Sequence, residues 1–95
     1  MTTLHIEHPI TDFATWKAAF DRHAPLREQS GVRGHRIQRP LGDDHYVVID
    51  LDFETSPEAE AFLELLRTRV WSSPANSPAL VGSPQAKILE SAEVR

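Results

Sequence analysis

The sequence predicts a single α+β domain over residues 1–95, with elements in the order β-α-β-β-α-β. Three observations carry the prediction. Apolar residues alternate with period two near residues 2–8, 33–39, 45–53 and 85–91. Apolar residues three and four apart mark two helices between them. A short Gly-containing segment, Pro40-Leu41-Gly42-Asp43-Asp44, joins the middle strands as a hairpin. At 40% hydrophobic and 25% charged residues the chain is ordinary globular material. At this length only about 60 to 65% of the chain surface is buried, so one core is expected and association would add to it.

In the first strand Leu4, Ile6 and His8 alternate with Thr3, His5 and Glu7, and Pro9 closes it. Thr11 or Asp12 then offers a side-chain oxygen to the unpaired N–H groups at a helix start. Phe13, Trp16 and Phe20 line one face of that helix with Ala19 and Ala24 beside them, while Lys17, Asp21 and Arg22 take the wet side. Pro25 removes a hydrogen bond and crowds the preceding turn, which predicts a kink or break there and a stop near Gly31.

Residues 45–53 are the clearest strand: Val47, Ile49, Leu51 and Phe53 share one face, and Tyr46, Val48, Asp50 and Asp52 the other. Joining apolar to apolar sets Ile37 of the second strand with Val47 and Ile49. It puts His35 on the apolar face, and Arg36 and Gln38 on the face of Tyr46 and Asp50. Ser56-Pro57-Glu58 combines a capping hydroxyl, a proline suited to the first turn and an acid near the positive helix end. Behind it Ala59, Phe62, Leu63, Leu66 and Val70 form a stripe over about four turns. Residues 71–84, rich in Ser and Pro, read as a covering loop, with one capped helical turn expected over 77–82. Ala86 and Ile88 alternate with Lys87 and Leu89 in the last strand, and residues 92–95 are expected to fray.

Without cysteine there is no disulfide framework, thiolate metal site or thiol nucleophile, which favours the cytoplasm. The N-terminus lacks a basic stretch followed by an apolar run, and no segment nears the ~18 apolar residues a bilayer crossing needs, so neither secretion nor a membrane partner is expected. A net charge of −4 argues against a nucleic-acid partner.

Two β-α-β units around a hairpin imply a ferredoxin-like, four-stranded antiparallel sheet with two helices on one face. The helix-free face would carry Thr3, His5, Arg36, Tyr46, Val48, Asp50 and one side of the last strand. A second copy of the chain is its simplest cover, so a homodimer through the sheet face is expected.

The element order, the segment Asp12-Phe13-Ala14-Thr15-Trp16-Lys17, and Tyr46-Val47-Val48-Ile49-Asp50-Leu51-Asp52-Phe53 followed by Ser56-Pro57-Glu58-Ala59-Glu60-Ala61-Phe62 resemble the dimeric α/β-barrel superfamily. Within it, the similarity is to small uncharacterised proteins near the antibiotic-biosynthesis-monooxygenase-like members. The resemblance spans nearly the whole chain and rests on fold patterns, so it speaks to fold rather than reaction. It implies paired sheets in a dimer and a small-molecule pocket inside each subunit, between sheet and helices. It also implies a range of activities: cofactor-independent oxygenases, haem degraders, isomerases and proteins of no known activity.

On that frame the pocket would be lined by Trp16, Phe20, Phe62, Leu66, Ile49 and Leu51, with Trp71 near the mouth and His35 as the polar group. The plain alternative is a filled aromatic core, with His35 a half-exposed strand residue paired to a carboxylate. A second group, His5, Arg36, Tyr46 and Asp50, offers a base, an anion clamp and a hydroxyl donor on the sheet-mating face. Its plain alternative is a hydrogen-bond network that fixes the dimer register.

His5 and His8 point to opposite faces, and His23 and His45 lack carboxylates at ligand spacing, so no metal is expected. No histidine follows His45 to serve as the haem ligand that a degrader of this superfamily would need, and no cofactor is expected. Ser72, Ser73 and Ser77 lack a nucleophile-elbow sequence. Arg33, Arg36 and Arg39 alternate in direction and should pair with acids.

Two functional readings follow. One is a dimer that binds or transforms a small aromatic or polyketide-like molecule, as a cofactor-free monooxygenase or isomerase would, in an open cavity of a few hundred Å³. The other is a non-catalytic dimeric ligand-binding or accessory domain whose Trp16, Phe20 and Phe62 fill that space.

Overall fold

In the computed structural model, which describes residues 1–93, the first alternating segment becomes β1 (Thr2–Pro9), with Leu4, Ile6 and His8 buried and Thr3, His5 and Glu7 half-buried. Val94 and Arg95, the last part of the segment expected to fray, lie outside the described residues. Asp12 opens α1 (Phe13–Arg22) by accepting the Thr15 N–H at 2.8 Å. The helix breaks at His23 rather than kinking. Pro25 falls in the first turn of the next helix, α2 (Ala24–Gln29), where a missing N–H leaves no bond unmade. Gly31, at φ 91°, then turns the chain out of the helical direction.

The hairpin β2 (Gly34–Gln38) and β3 (Tyr46–Phe53) takes the expected register. Ile37 lies opposite Ile49, His35 opposite Leu51 and Arg36 opposite Asp50. Ahead of α3 (Ser56–Leu65) the capping residue is Thr55, not Ser56. The reason is spacing: Glu58 three positions after Thr55 completes a reciprocal capping box, with Pro57 in the first turn. The apolar stripe runs on to Val70 as expected, but Leu66–Val70 form a π-helical turn closed by the Trp71 N–H on the Leu66 carbonyl at 2.7 Å. Residues 77–82 do not form the expected helical turn. Thr11 N–H bonds to Ala79 O and Val81 N–H to Pro9 O, so Leu80 bridges to Ile10 and the loop is stitched to the end of β1. The final strand is β4 (Gln85–Glu90).

The four strands form one antiparallel sheet in the order β2-β3-β1-β4, with β1 paired to both β3 and β4. Leu4, Ile6, Val47, Ile49, Leu51 and Phe53 face the helices and meet Trp16, Ala59, Phe62, Leu63 and Leu66 in one core. Leu4, Val47 and Phe53 are fully buried there, each contributing roughly 1.5–3 kcal/mol of hydrophobic stabilisation. No helix is long and apolar enough to cross a membrane among the described residues.

Candidate functional site

Helices and sheet do not close completely on one another. A cavity of about 80 Å³ lies between them. Its floor is Ile6, His8, Ile49 and Leu51. The α1–α2 wall is Trp16, Ala19, Phe20, Leu26 and Arg27, and the opposite wall is Phe62, Leu66, Val70 and Trp71. The loop residues Asn76, Ser77, Ala79 and Leu80 roof it, with His23 at the corner. This is smaller than the few hundred Å³ expected for an open pocket, because Trp16 and Phe20 stack at 5.0 Å and occupy much of the span. Nor is the core filled: at roughly 30 Å³ of liquid volume per water the space holds about three waters.

The helix end beside the cavity is shaped by polar side chains. A π turn leaves carbonyls to be satisfied, and hydroxyls and amides take them. Thr68 Oγ1 donates to Glu64 O, Ser72 Oγ to Thr68 O, Asn76 Nδ2 to Arg69 O and Ser77 Oγ to Val70 O, at 2.7 to 2.9 Å. Across the mouth His23 Nε2 donates to Asn76 O at 2.9 Å and ties the loop to the α1–α2 corner. Loop and π turn together bring Val70 and Trp71 to the cavity.

Two polar groups on the cavity wall are themselves buried. His8 is 3% exposed; its Nδ1 donates to the Pro9 carbonyl at 2.9 Å, and burial pushes its pKa down. The ring is therefore neutral, with Nε2 an unprotonated acceptor that has no partner among the described residues and is not sealed from solvent. Arg27, 9% exposed, donates from one terminal nitrogen to the Phe20 carbonyl at 2.6 Å and stacks its guanidinium 3.6 Å from the Phe20 ring centre. Burial lowers its pKa against the opposing pull of Asp21 and Glu28, and the guanidinium stays charged.

On the other side of the sheet lies a second constellation. Tyr46 donates its hydroxyl to Glu7 at 2.7 Å, and the two nitrogens of His5 face Glu7 at 2.9 Å and Asp50 at 2.7 Å. Both bonds require an imidazolium, and the two carboxylates, Glu7 first, raise the pKa of His5. Arg36 forks onto Asp52 at 2.8 and 3.2 Å and approaches Asp50 at 4.0 Å, while Thr3 donates to Asp52 at 3.0 Å. The result is one chain of alternating charge across β1, β2 and β3, with Val48 and Leu89 its apolar neighbours on that face.

Of the residues the sequence points to, Trp16, Phe20, Phe62, Leu66, Ile49, Leu51 and Trp71 all line the cavity. His35 does not. It is exposed, its ring standing edge-on to Phe20 at 5.1 Å outside the cavity. The register is as expected, but β2 is an edge strand beyond the reach of the cavity floor. Sequence reasoning missed His8 and Arg27. His8 carried a signal, as the third member of the buried alternation of β1, whereas Arg27 lies in α2, beyond the break that ends the helix of Phe20. His5, Arg36, Tyr46 and Asp50 are brought together as expected, and Glu7 and Asp52 complete their bonds.

No family profile and no curated protein matches the sequence. Solved structures do match. A protein of unknown function from Nitrosomonas europaea is similar at TM-score 0.73 and 13% identity, over 99% of this chain and 91% of that one. A provisionally assigned antibiotic biosynthesis monooxygenase from Deinococcus radiodurans is similar at 0.74 and 13%, over 100% and 96%. A Streptomyces coelicolor monooxygenase solved with nanaomycin D is similar at 0.64 and 16%, over 99% and 89%. A dimeric ferredoxin-like protein from an uncultured marine organism is similar at 0.66 and 12%, over 99% and 97%. This chain therefore has the α+β ferredoxin-like fold that these dimeric and monooxygenase-like proteins share, at identities that establish fold alone.

Proposed function

We propose that this chain is a homodimeric small-molecule-binding protein whose subunits each hold one planar ring between sheet and helices. The observation that carries this is the cavity itself. It is an apolar space roofed by a loop, with Trp16, Phe20 and Trp71 in its walls and His8, whose Nε2 has no partner among the described residues, in its floor. The neighbours described as monooxygenases, one of them solved with nanaomycin D, support extending this to cofactor-independent oxidation or isomerisation of an aromatic compound. In that extension His8 Nε2, neutral near pH 7 and unpartnered, is the base that accepts a ligand hydroxyl proton. The histidine of the sheet face is poorly placed for this role, since carboxylates occupy both of its nitrogens.

The dimer reading rests on the helix-free face and on neighbours described as dimeric. Facing copies would remove His5, Arg36, Asp50 and Asp52 from water, a step their mutual pairing makes tolerable, and would cover Val48 and Leu89. The lack of cysteine supports a reducing compartment, and we place the protein in the cytoplasm.

The pocket is tested with two single-ring probes, benzoate and benzamide, followed by amide and imidazole shifts. We expect shifts at His8, Trp16 and Trp71, weakening by about threefold to tenfold in Trp71→Ala as one stacking partner is lost, and no change in His35→Ala. If neither probe moves these resonances, the pocket reading is wrong.

A further inference from the structure

Resting on that pocket, we propose that its ligand is a single-ring carboxylic acid, held as the carboxylate by the guanidinium of Arg27. The starting point is the burial of Arg27, since among the exposed arginines of the described residues some are ion-paired and Arg22, Arg67 and Arg69 are not. Arg33, Arg36 and Arg39 are exposed, and each has a carboxylate, from Glu54, Asp52 and Asp44, at 2.6 to 2.8 Å. Arg27 is buried, and no carboxylate of the described residues lies within ion-pair distance of it. Buried cations ordinarily have the partner and exposed ones can do without, because water screens only the latter.

What the fold supplies to Arg27 is partial. One N–H reaches the Phe20 carbonyl at the end of α1 and the Phe20 ring covers one face of the plane. A guanidinium has five N–H groups. No nitrogen of this side chain is sealed away without a partner, so its remaining donors keep access to solvent, and the residue itself lines the cavity. A carboxylate matches that planar fork with two parallel bonds.

Size and charge narrow the class further. The space leaves room for no more than one ring, and its walls include Trp16, Phe20 and Leu66, so the rest of the ligand is flat and apolar. Neutral His8, the other buried polar group of the wall, adds no second positive charge, and a dianion such as a phosphate ester would leave one charge unmatched in an apolar site.

Binding of benzoate and of benzamide, equal in shape and differing in charge, is measured by titration calorimetry at neutral pH on the unmodified protein and on Arg27→Met. We expect benzoate to bind at least tenfold more tightly than benzamide. In Arg27→Met the two should come within about twofold, the loss falling mainly on benzoate. Benzamide binding as well as benzoate in the unmodified protein overturns this inference and leaves the pocket standing; neither probe binding overturns both. If Arg27→Met does not fold because Phe20 O loses its donor, the ratio in the unmodified protein decides.

Discussion

His5 and His8 stand three residues apart on one strand, and their environments drive their titrations in opposite directions. Glu7 and then Asp50 raise His5 above its ordinary 6.5, so the stability it contributes is fully present below that value and fades as pH rises through its folded pKa. Burial lowers His8 below 6.5, so the unfolded chain takes up the proton first and stability is lost as pH falls from 6.5 toward the folded pKa. We expect an NMR titration to put the His5 midpoint above 6.5 and the His8 midpoint below it. Urea unfolding at about pH 7 and 5 should show His8→Phe losing less stability on acidification than the parent chain. A His8 midpoint above 6.5 would remove the neutral acceptor from the cavity floor. The faces of both residues were legible from alternation alone. Their protonation was not, because it depends on Asp50 from another strand and on the depth of burial under the helices.

At the level of elements, the capping box of α3 meets the turn after α2 at a single carboxylate. Glu58 Oε1 accepts from Thr55 N and Oγ1, while its Oε2 sits 2.7 Å from where a Cβ on Gly31 would lie. Thr55→Ala should cost about 1 kcal/mol in chemical denaturation. Gly31→Ala should cost about 1–2 kcal/mol through its positive φ and would also push Glu58 aside. Since both variants break the bond between Thr55 Oγ1 and Glu58, the double variant should lose less than the sum, and strict additivity would show that Glu58 does not link them. The starts of α1 and α3 are written locally, in Asp12 and in the Thr55–Glu58 spacing, and so is the break at His23, two residues ahead of Pro25. The π turn has no such local signature: its residues continue the helical stripe, and the extra residue emerges only where the loop offers Asn76 and Ser77 to the freed carbonyls.

For the whole molecule, light scattering should return about 21 kDa, twice the 10.7 kDa chain. Leu89→Asp, which sets a carboxylate opposite Thr3 on the helix-free face, should shift that mass to the single-chain value while leaving far-UV circular dichroism unchanged. A monomeric parent at micromolar concentration would remove the dimer. Element order, sheet pairing and the apolar lining could all be read from period and spacing, because each is dictated by which side of a strand or helix is wet. The size of the gap between the layers could not, since it depends on how closely Trp16 and Phe20 stack across it. The stitched roof over that gap has a kinetic corollary. Its attachments to the α1–α2 corner and the helix end are hydrogen bonds through His23, Asn76 and Ser77. Those bonds can break while the strand ladders stay paired, so amide exchange should run orders of magnitude faster at 72–78 than along β3.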